Sequence, residues 1–313
     1  MSCEAPVFVN SVNIMKHTVK EWFAVTRYWS FPVSAMPVIV TFTYLLSLGL
    51  VPGGAMPFIC FALALLGVVV LHSAGNVLSD YFDYKTGVDN PEAFAVPNLV
   101  FGKFQPREYL IFSIILFVLG CGIGLVLTLL SGWKLLIIGG VGVALTAAYS
   151  FLKYHALGDL DIFVIFSVLI MLGTSFVVCG EVQPVVLVLA LPVGIITVSV
   201  LHANNTFDIV SDGNAGMKSF AMLLGGKCSS RLYMAYMCVP FASVAAAVAA
   251  GWLSPFALLS FIAAIPAFKN FKAASHYSEK GIGTMAGLDQ ASAKLQLVFS
   301  GLLSVGLIIS AIC

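Results

Sequence analysis

The chain carries nine apolar runs long enough to cross a lipid bilayer, for which about 17–25 helical residues are needed. They lie near Phe31–Val51, Pro57–Leu78, Tyr109–Leu130, Trp133–Phe151, Ile162–Cys179, Val185–Leu201, Leu232–Ala250, Trp252–Phe268 and Leu295–Cys313. Hydrocarbon offers the backbone no hydrogen-bond partner, so runs this continuously apolar must be helices; barrel strands are shorter and alternate in polarity. The eighth is the weakest, being short and interrupted by Pro255 and Pro266. The expected fold class is all-α, a polytopic membrane protein.

Composition agrees. Of 313 residues, 60% are hydrophobic and 9% charged, where a soluble domain carries roughly a quarter charged residues. This excludes a soluble enzyme. The net charge of +1 leaves no basic surface for nucleic acid. Cys3, Cys60, Cys121, Cys179, Cys228, Cys238 and Cys313 are scattered without a Cys-x-x-Cys pair, so neither a disulfide framework nor a zinc site is expected. Met1–Lys20 lacks the apolar core of a cleavable signal peptide. Asn13–Trp29 mixes Lys16, Lys20 and Arg27 with Trp22, Phe23, Tyr28 and Trp29, the pattern of an amphipathic helix lying at the membrane interface.

Orientation follows from the basic residues, which accumulate on the cytoplasmic side. Nine spans put 14 of the 15 Lys and Arg residues on one side and leave Lys134 for the other. The N-terminus is therefore expected in the cytoplasm. The long connections Ser79–Glu108, Asn204–Arg231 and Lys269–Lys294 share that side.

Two polar clusters stand out in a charge-poor chain. Asn76, Asp80 and Asp83 fall at the end of the second run, within the segment from Asn76 to Asp89, spaced i, i+4 and i+7 on one helix face. Asn204, Asp208 and Asp212 follow the sixth run at i, i+4 and i+8, with His202 and Asn205 beside them. Asn76 to Asn204 is 128 residues, as is Asp80 to Asp208. Carboxylates crowded on one face near hydrocarbon repel one another and resist desolvation. A Mg²⁺ ion relieves both problems, taking one or two carboxylates and completing its shell with phosphate oxygens and water. Two such faces suit a Mg²⁺–diphosphate bridged between them, with Lys85, Lys103, Arg107, Lys153 and Lys218 in adjacent segments to neutralise the diphosphate. Against this stands the plain reading of acids solvated at helix ends, and a cation path in a transporter. Tyr149 and Tyr154 can present ring faces to a cation or simply sit at the interface, and His72 and His202 can serve a site or packing.

The two motifs resemble those of the UbiA superfamily of intramembrane aromatic prenyltransferases, and the likeness runs through Arg27–Pro37, Gly102–Glu108, Ala148–Asp159 and Gly281–Asp289. Within it, the stretches Asn76–Asn90, Leu152–Tyr154 with Leu157–Asp159, and Asn204–Gly216 look most like the 1,4-dihydroxy-2-naphthoate branch. The resemblance implies nine transmembrane helices around a central cavity open to the cytoplasmic side. Residues 31–313 would form a single transferase domain, and 1–30 a cytoplasmic and interfacial segment. It further implies a polyprenyl diphosphate and an aromatic acceptor as substrates, Mg²⁺ as cofactor on Asp80, Asp83, Asp208 and Asp212, and a multi-pass place in the cell membrane with a cytoplasmic active site. Lys153 and Tyr149 are expected in catalysis. Asn76, Asn204, Asn205, Lys85, Lys103, Arg107, Lys218, Tyr154 and His202 are expected around the diphosphate and acceptor. The other acceptors of the superfamily, 4-hydroxybenzoate, homogentisate, haem or a non-aromatic alcohol, are the alternatives. An ion-coupled transporter is the rival class, and the apolar midspans speak against it.

Overall fold

A computed structural model describes residues 17–88, 97–214 and 216–313. Asn13–Lys16 of the interfacial segment and Asp89 of the first motif lie outside the described residues. Among the described residues the regular structure is helical, apart from one isolated backbone bridge between His155 and Lys218.

Nine helices among these residues are long and apolar enough to span: α1 Tyr28–Ser47, α2 Met56–Lys85, α3 Pro106–Ser131, α4 Leu135–Tyr154, α5 Gly158–Cys179, α6 Pro184–Phe207, α7 Gly226–Ala249, α8 Pro255–Lys280 and α9 Ile282–Ile312. Proline begins or nearly begins several of them (Pro57, Pro106, Pro184, Pro255), where its missing N–H costs nothing. Three bounds differ most from the hydropathy reading. Helix α2 continues past Leu78 to Lys85, α8 continues past Phe268 to Lys280, and α9 begins at Ile282 rather than Leu295. The connections expected there are therefore largely helix. Hydropathy stops at the first polar residues, whereas a helix inside a bundle continues wherever its polar side chains find partners.

The helices are not equally central. In α1 and α6, 67% and 61% of the most apolar window is buried, against 17% in α3 and 11% in α4. Helices α3 and α4 therefore face lipid, and Ile114, Ile115, Val118 and Leu129 point outward. The main core joins Val38, Leu45, Met171, Val193, Ile196, Phe299 and Leu303 from α1, α5, α6 and α9. Helices α5 and α6 meet closely at Gly194, where an added Cβ would lie 2.6 Å from Ser167 Oγ. Within α5 the segment Val164–Leu169 is a π-helical turn, a widening often found beside functional sites.

Ahead of α1, Thr18 and Glu21 cap a short helix, Val19–Val25; Glu21 Oε2 accepts from Thr18 N at 2.7 Å. The Trp22 ring on this helix packs against Phe104 and Phe112, which ties the entry segment to the start of α3. Arg27 then takes a left-handed conformation (φ 55°), turning the chain into α1.

Candidate active site in the cavity between the helices

Chain alternation brings the C-terminal ends of α2, α4 and α6 to the same end of the bundle as the N-terminal ends of α1, α5 and α9. Between them lies a cavity of about 420 Å³. Seven of the expected site residues line it: Asn76, Asp83, Tyr149, Lys153, Asn204, Asp208 and Asp212; Asp80 does not.

The first acidic face is internally partnered. Lys153 Nζ donates to Asp83 Oδ2 at 3.2 Å, and Tyr154 Oη donates to Asp83 Oδ1 at 2.6 Å, so α4 holds the α2 carboxylate from two sides. Asp80, almost fully buried, is ion-paired with Arg27. Asn76 Nδ2 donates to Thr26 O at 3.1 Å and to Ser30 Oγ at 3.3 Å, stitching α2 to the entry of α1.

The second face lies where α6 ends. Asp208 caps the helix, yet Asp208 N donates to Asn204 O at 2.9 Å and Asp212 N to Asp208 O at 2.8 Å. The helical hydrogen-bond spacing survives this break, so Asn204, Asp208 and Asp212 all reach the cavity. Asn204 Nδ2 donates to Asp208 Oδ2 at 2.7 Å. Burial nevertheless pushes the Asp208 carboxyl up to about 6, against the opposing pull of Lys153 and Arg27, with Asp289 adding to the rise. This wall is short of positive charge.

The remaining expected residues stand elsewhere. Lys85, Lys103, Arg107 and Lys218 are exposed and are not part of the cavity lining. Lys103 pairs with Glu21 at 3.0 Å, and Lys85 lies over the Tyr81 ring at 5.7 Å. Asn205 is buried away from the cavity, its Oδ1 without a hydrogen-bond partner among the described residues. His202 is fully buried between Asp159 Oδ2, 2.6 Å from Nδ1, and Ser229 Oγ, 2.9 Å from Nε2. This Asp–His–Ser line repeats the order of a hydrolase triad, but His202 and Ser229 expose no surface and do not line the acid-walled cavity, so its work is to pin α5, α6 and α7 together. His72, Arg27 and Asp289 line the cavity instead. Arg27 and Asp289 sit in sequence stretches that resemble the family and His72 just ahead of the first motif, but only the closure of the bundle brings them to the site.

No three His, Cys, Asp or Glu side chains among the described residues converge into a closed metal cage. The acids stand on separate walls, each offering one or two carboxylates. Such walls fit a hard cation that draws the rest of its shell from a phosphate ligand and water, as Mg²⁺ does.

Fold and site together define a polytopic helical membrane protein with an acid-walled cavity at one end of its helix bundle. Residues 40–312 match the model of the UbiA prenyltransferase family, and the chain belongs to that family. It is similar to UbiA prenyltransferase domain-containing protein 1 of Xenopus tropicalis, 31% identical over 222 residues, covering 69% of this chain and 63% of the relative. The corresponding protein of Danio rerio is 30% identical over 230 residues, covering 69% and 64%. The match thus spans less than two thirds of these relatives' length. Two solved structures share the fold. The apo UbiA homolog from Aeropyrum pernix K1 has a TM-score of 0.65 at 18% identity, covering 88% of this chain and 97% of that one. The Archaeoglobus fulgidus homolog bound to DMAPP and Mg²⁺ has a TM-score of 0.61 at 13% identity, covering 91% and 99%.

Proposed function

We propose that the protein transfers a polyprenyl group from a polyprenyl diphosphate to an aromatic acceptor, with Mg²⁺ as cofactor. The observation that carries this is the pair of acidic faces, Asp83 on α2 and Asp208 and Asp212 beyond α6, lining one cavity with Lys153 and Arg27, while Asp80 stands buried behind that wall, paired with Arg27. These four carboxylates would hold the metal, and the diphosphate and Mg²⁺ bound by the Archaeoglobus homolog support the assignment. Bound there, Mg²⁺ would neutralise the diphosphate and make it a better leaving group.

The chain's own residues do the rest. Lys153 sits at the boundary of the two acidic faces, within reach of diphosphate charge. Below the acids, Ile162, Ile165, Phe166 and Val200 form apolar walls, which keep water from an allylic cation. The Tyr149 ring faces the same space and favours positive charge near it. The volume of about 420 Å³ is that of an ordinary small-molecule site.

For the acceptor we take 1,4-dihydroxy-2-naphthoate, giving demethylmenaquinone in its reduced quinol form with loss of carbon dioxide and diphosphate. The motif likeness at Asn76–Asn90, Leu152–Asp159 and Asn204–Gly216 supports it. Residues 31–313 act as a single transferase domain and 1–30 as its interfacial segment. The excess of basic residues on the site's side of the membrane supports a cytoplasmic cavity in a multi-pass protein of the cell membrane. The test is a competition assay with farnesyl diphosphate, Mg²⁺ and a panel of acceptors. Dihydroxynaphthoate should outcompete 4-hydroxybenzoate and homogentisate by a wide margin. Comparable prenylation of 4-hydroxybenzoate would overturn the acceptor while leaving the transferase.

A further inference from the structure

We infer that His72 is the proton acceptor for the acceptor hydroxyl, a role that rests on the transferase reading above. His72 stands on α2 one turn before Asn76, at the junction of two spaces. It lines the acid-walled cavity and also an apolar crevice of about 150 Å³ between α2, α3, α4 and α5. Thr146, Ile165 and Phe166 line both spaces as well. A diphosphate among the acids and a prenyl chain in the crevice would therefore meet beside this imidazole.

The hydrogen bonds accommodate the tautomer this role requires. Ser34 Oγ lies 3.1 Å from His72 Nδ1 and donates to Phe31 O at 3.3 Å. Ser30 Oγ is 3.5 Å from Nε2, but its proton goes to Arg27 O at 2.8 Å, and it also accepts from Asn76 Nδ2. The arrangement with both serine protons on backbone carbonyls has Nδ1 carrying the hydrogen and donating to Ser34 Oγ, and this is the tautomer the role uses. The reverse tautomer would leave Nε2–H aimed at Ser30 across a distance too long for a good bond. In the Nδ1–H tautomer Nε2 keeps its lone pair, on a side chain that lines the cavity. The Phe166 ring meets the imidazole edge-on at a centroid distance of 4.9 Å, fixing its plane. His202 cannot substitute, because both its nitrogens are engaged and it lines neither of these two spaces.

The step balances without an outside reagent. The ring carbon forms a bond to C1 of the prenyl group as the C1–O bond breaks, and diphosphate leaves with that electron pair. The acceptor hydroxyl gives its proton to Nε2 and becomes a carbonyl. Where the new carbon bears a carboxylate, carbon dioxide leaves, the C–C pair returns to the ring, and the oxygen recovers its proton from His72. Where it bears hydrogen, that hydrogen leaves to water as a proton and the oxygen is reprotonated in the same way.

The test uses the full chain, Mg²⁺ and farnesyl diphosphate. His72→Gln keeps a polar side chain but cannot take up a proton, and turnover should fall at least about 100-fold, as for loss of a general base. Affinity for farnesyl thiodiphosphate should stay within about twofold, and added imidazole should restore part of the activity of His72→Ala. As a measure that needs no variant, wild-type enzyme should discriminate by a similar factor against an acceptor whose reacting hydroxyl is O-methylated. Undiminished turnover in His72→Gln, parallel loss of donor binding, or equal wild-type rates on the methylated acceptor would overturn this role alone. Absence of any prenylated product from wild type would overturn the transferase reading and this role together.

Discussion

Lys153 Nζ lies 3.2 Å from Asp83 Oδ2, joining the last turn of α4 to the last turns of α2 inside the cavity wall. Both side chains are largely shielded, at 9% and 6% exposure. Each charge depends on the other until a ligand arrives, and a diphosphate with its metal would replace both partners at once.

Removing one partner should therefore cost stability as well as activity. Lys153→Met leaves the Asp83 carboxylate buried with only Tyr154 and Ser79 as hydrogen-bond donors. A loss of about 3–5 kcal/mol is expected for a broken buried pair. The double variant Lys153→Met/Asp83→Asn should recover most of that stability and none of the activity. Thermal melts in detergent beside a turnover assay check both halves; additive stability losses would mean that the pair is not coupled.

Asp208 gives a pH dependence. Burial raises its folded-state carboxyl to about 6 from 3.8, so folding disfavours its charge. The penalty is absent below about pH 3, where both states are protonated, grows between the two pKa values, and is complete above about pH 7. Asp208→Asn should raise the melting temperature of the Mg²⁺-free protein at pH 7.5, by the equivalent of roughly 1–3 kcal/mol, with little gain at about pH 3. Its turnover should be nearly abolished. Equal melting temperatures at pH 7.5 would show that the carboxylate is already compensated.

Much of the fold was legible in the sequence because hydrocarbon imposes so strong a constraint: the nine spans follow from length and apolarity alone. Helix ends were less legible, since Asp80, Asp83 and Asp289 look like loop residues until Arg27, Lys153 and the bundle interior partner them. The two acidic faces were visible from spacing. The distinction between His72 and His202 was not, because both are histidines near a helix end. Neighbours far away in sequence, Ser34 for one and Asp159 with Ser229 for the other, decide which nitrogen remains available. Lys103 looked like a diphosphate ligand by the same logic, and its partner turns out to be Glu21 in the capping box of the entry helix.

Helix packing supplies a prediction independent of chemistry. A Cβ on Gly306 of α9 would lie 2.1 Å from Phe256 O at the start of α8. Backbone cannot yield as a side-chain tip can, so Gly306→Ala should force the helices apart and cost at least the roughly 1–3 kcal/mol typical of overpacking. Gly301→Ala, five residues earlier on α9 and with nothing within 4 Å of its Cβ, should be nearly neutral. Melting both variants in the same detergent makes the comparison; equal effects would contradict the α8–α9 contact.

Topology can be tested by cysteine labelling in a background without native cysteines. Lys85, Lys218 and Lys280 are exposed near the cavity end, and Lys134 is exposed at the start of α4 on the opposite end. A membrane-impermeant reagent outside intact cells should label Lys134→Cys and spare the other three. Labelling of any of those three would reverse or break the proposed orientation.

The central claim is that the acids of α2 and those beyond α6 jointly hold one Mg²⁺–diphosphate. Calorimetric binding of farnesyl thiodiphosphate, a donor that resists ionisation, tests it without any acceptor. Binding to the wild-type protein should require Mg²⁺ and be lost in both Asp83→Asn and Asp208→Asn. Binding of undiminished affinity without Mg²⁺, or in both variants, would contradict it.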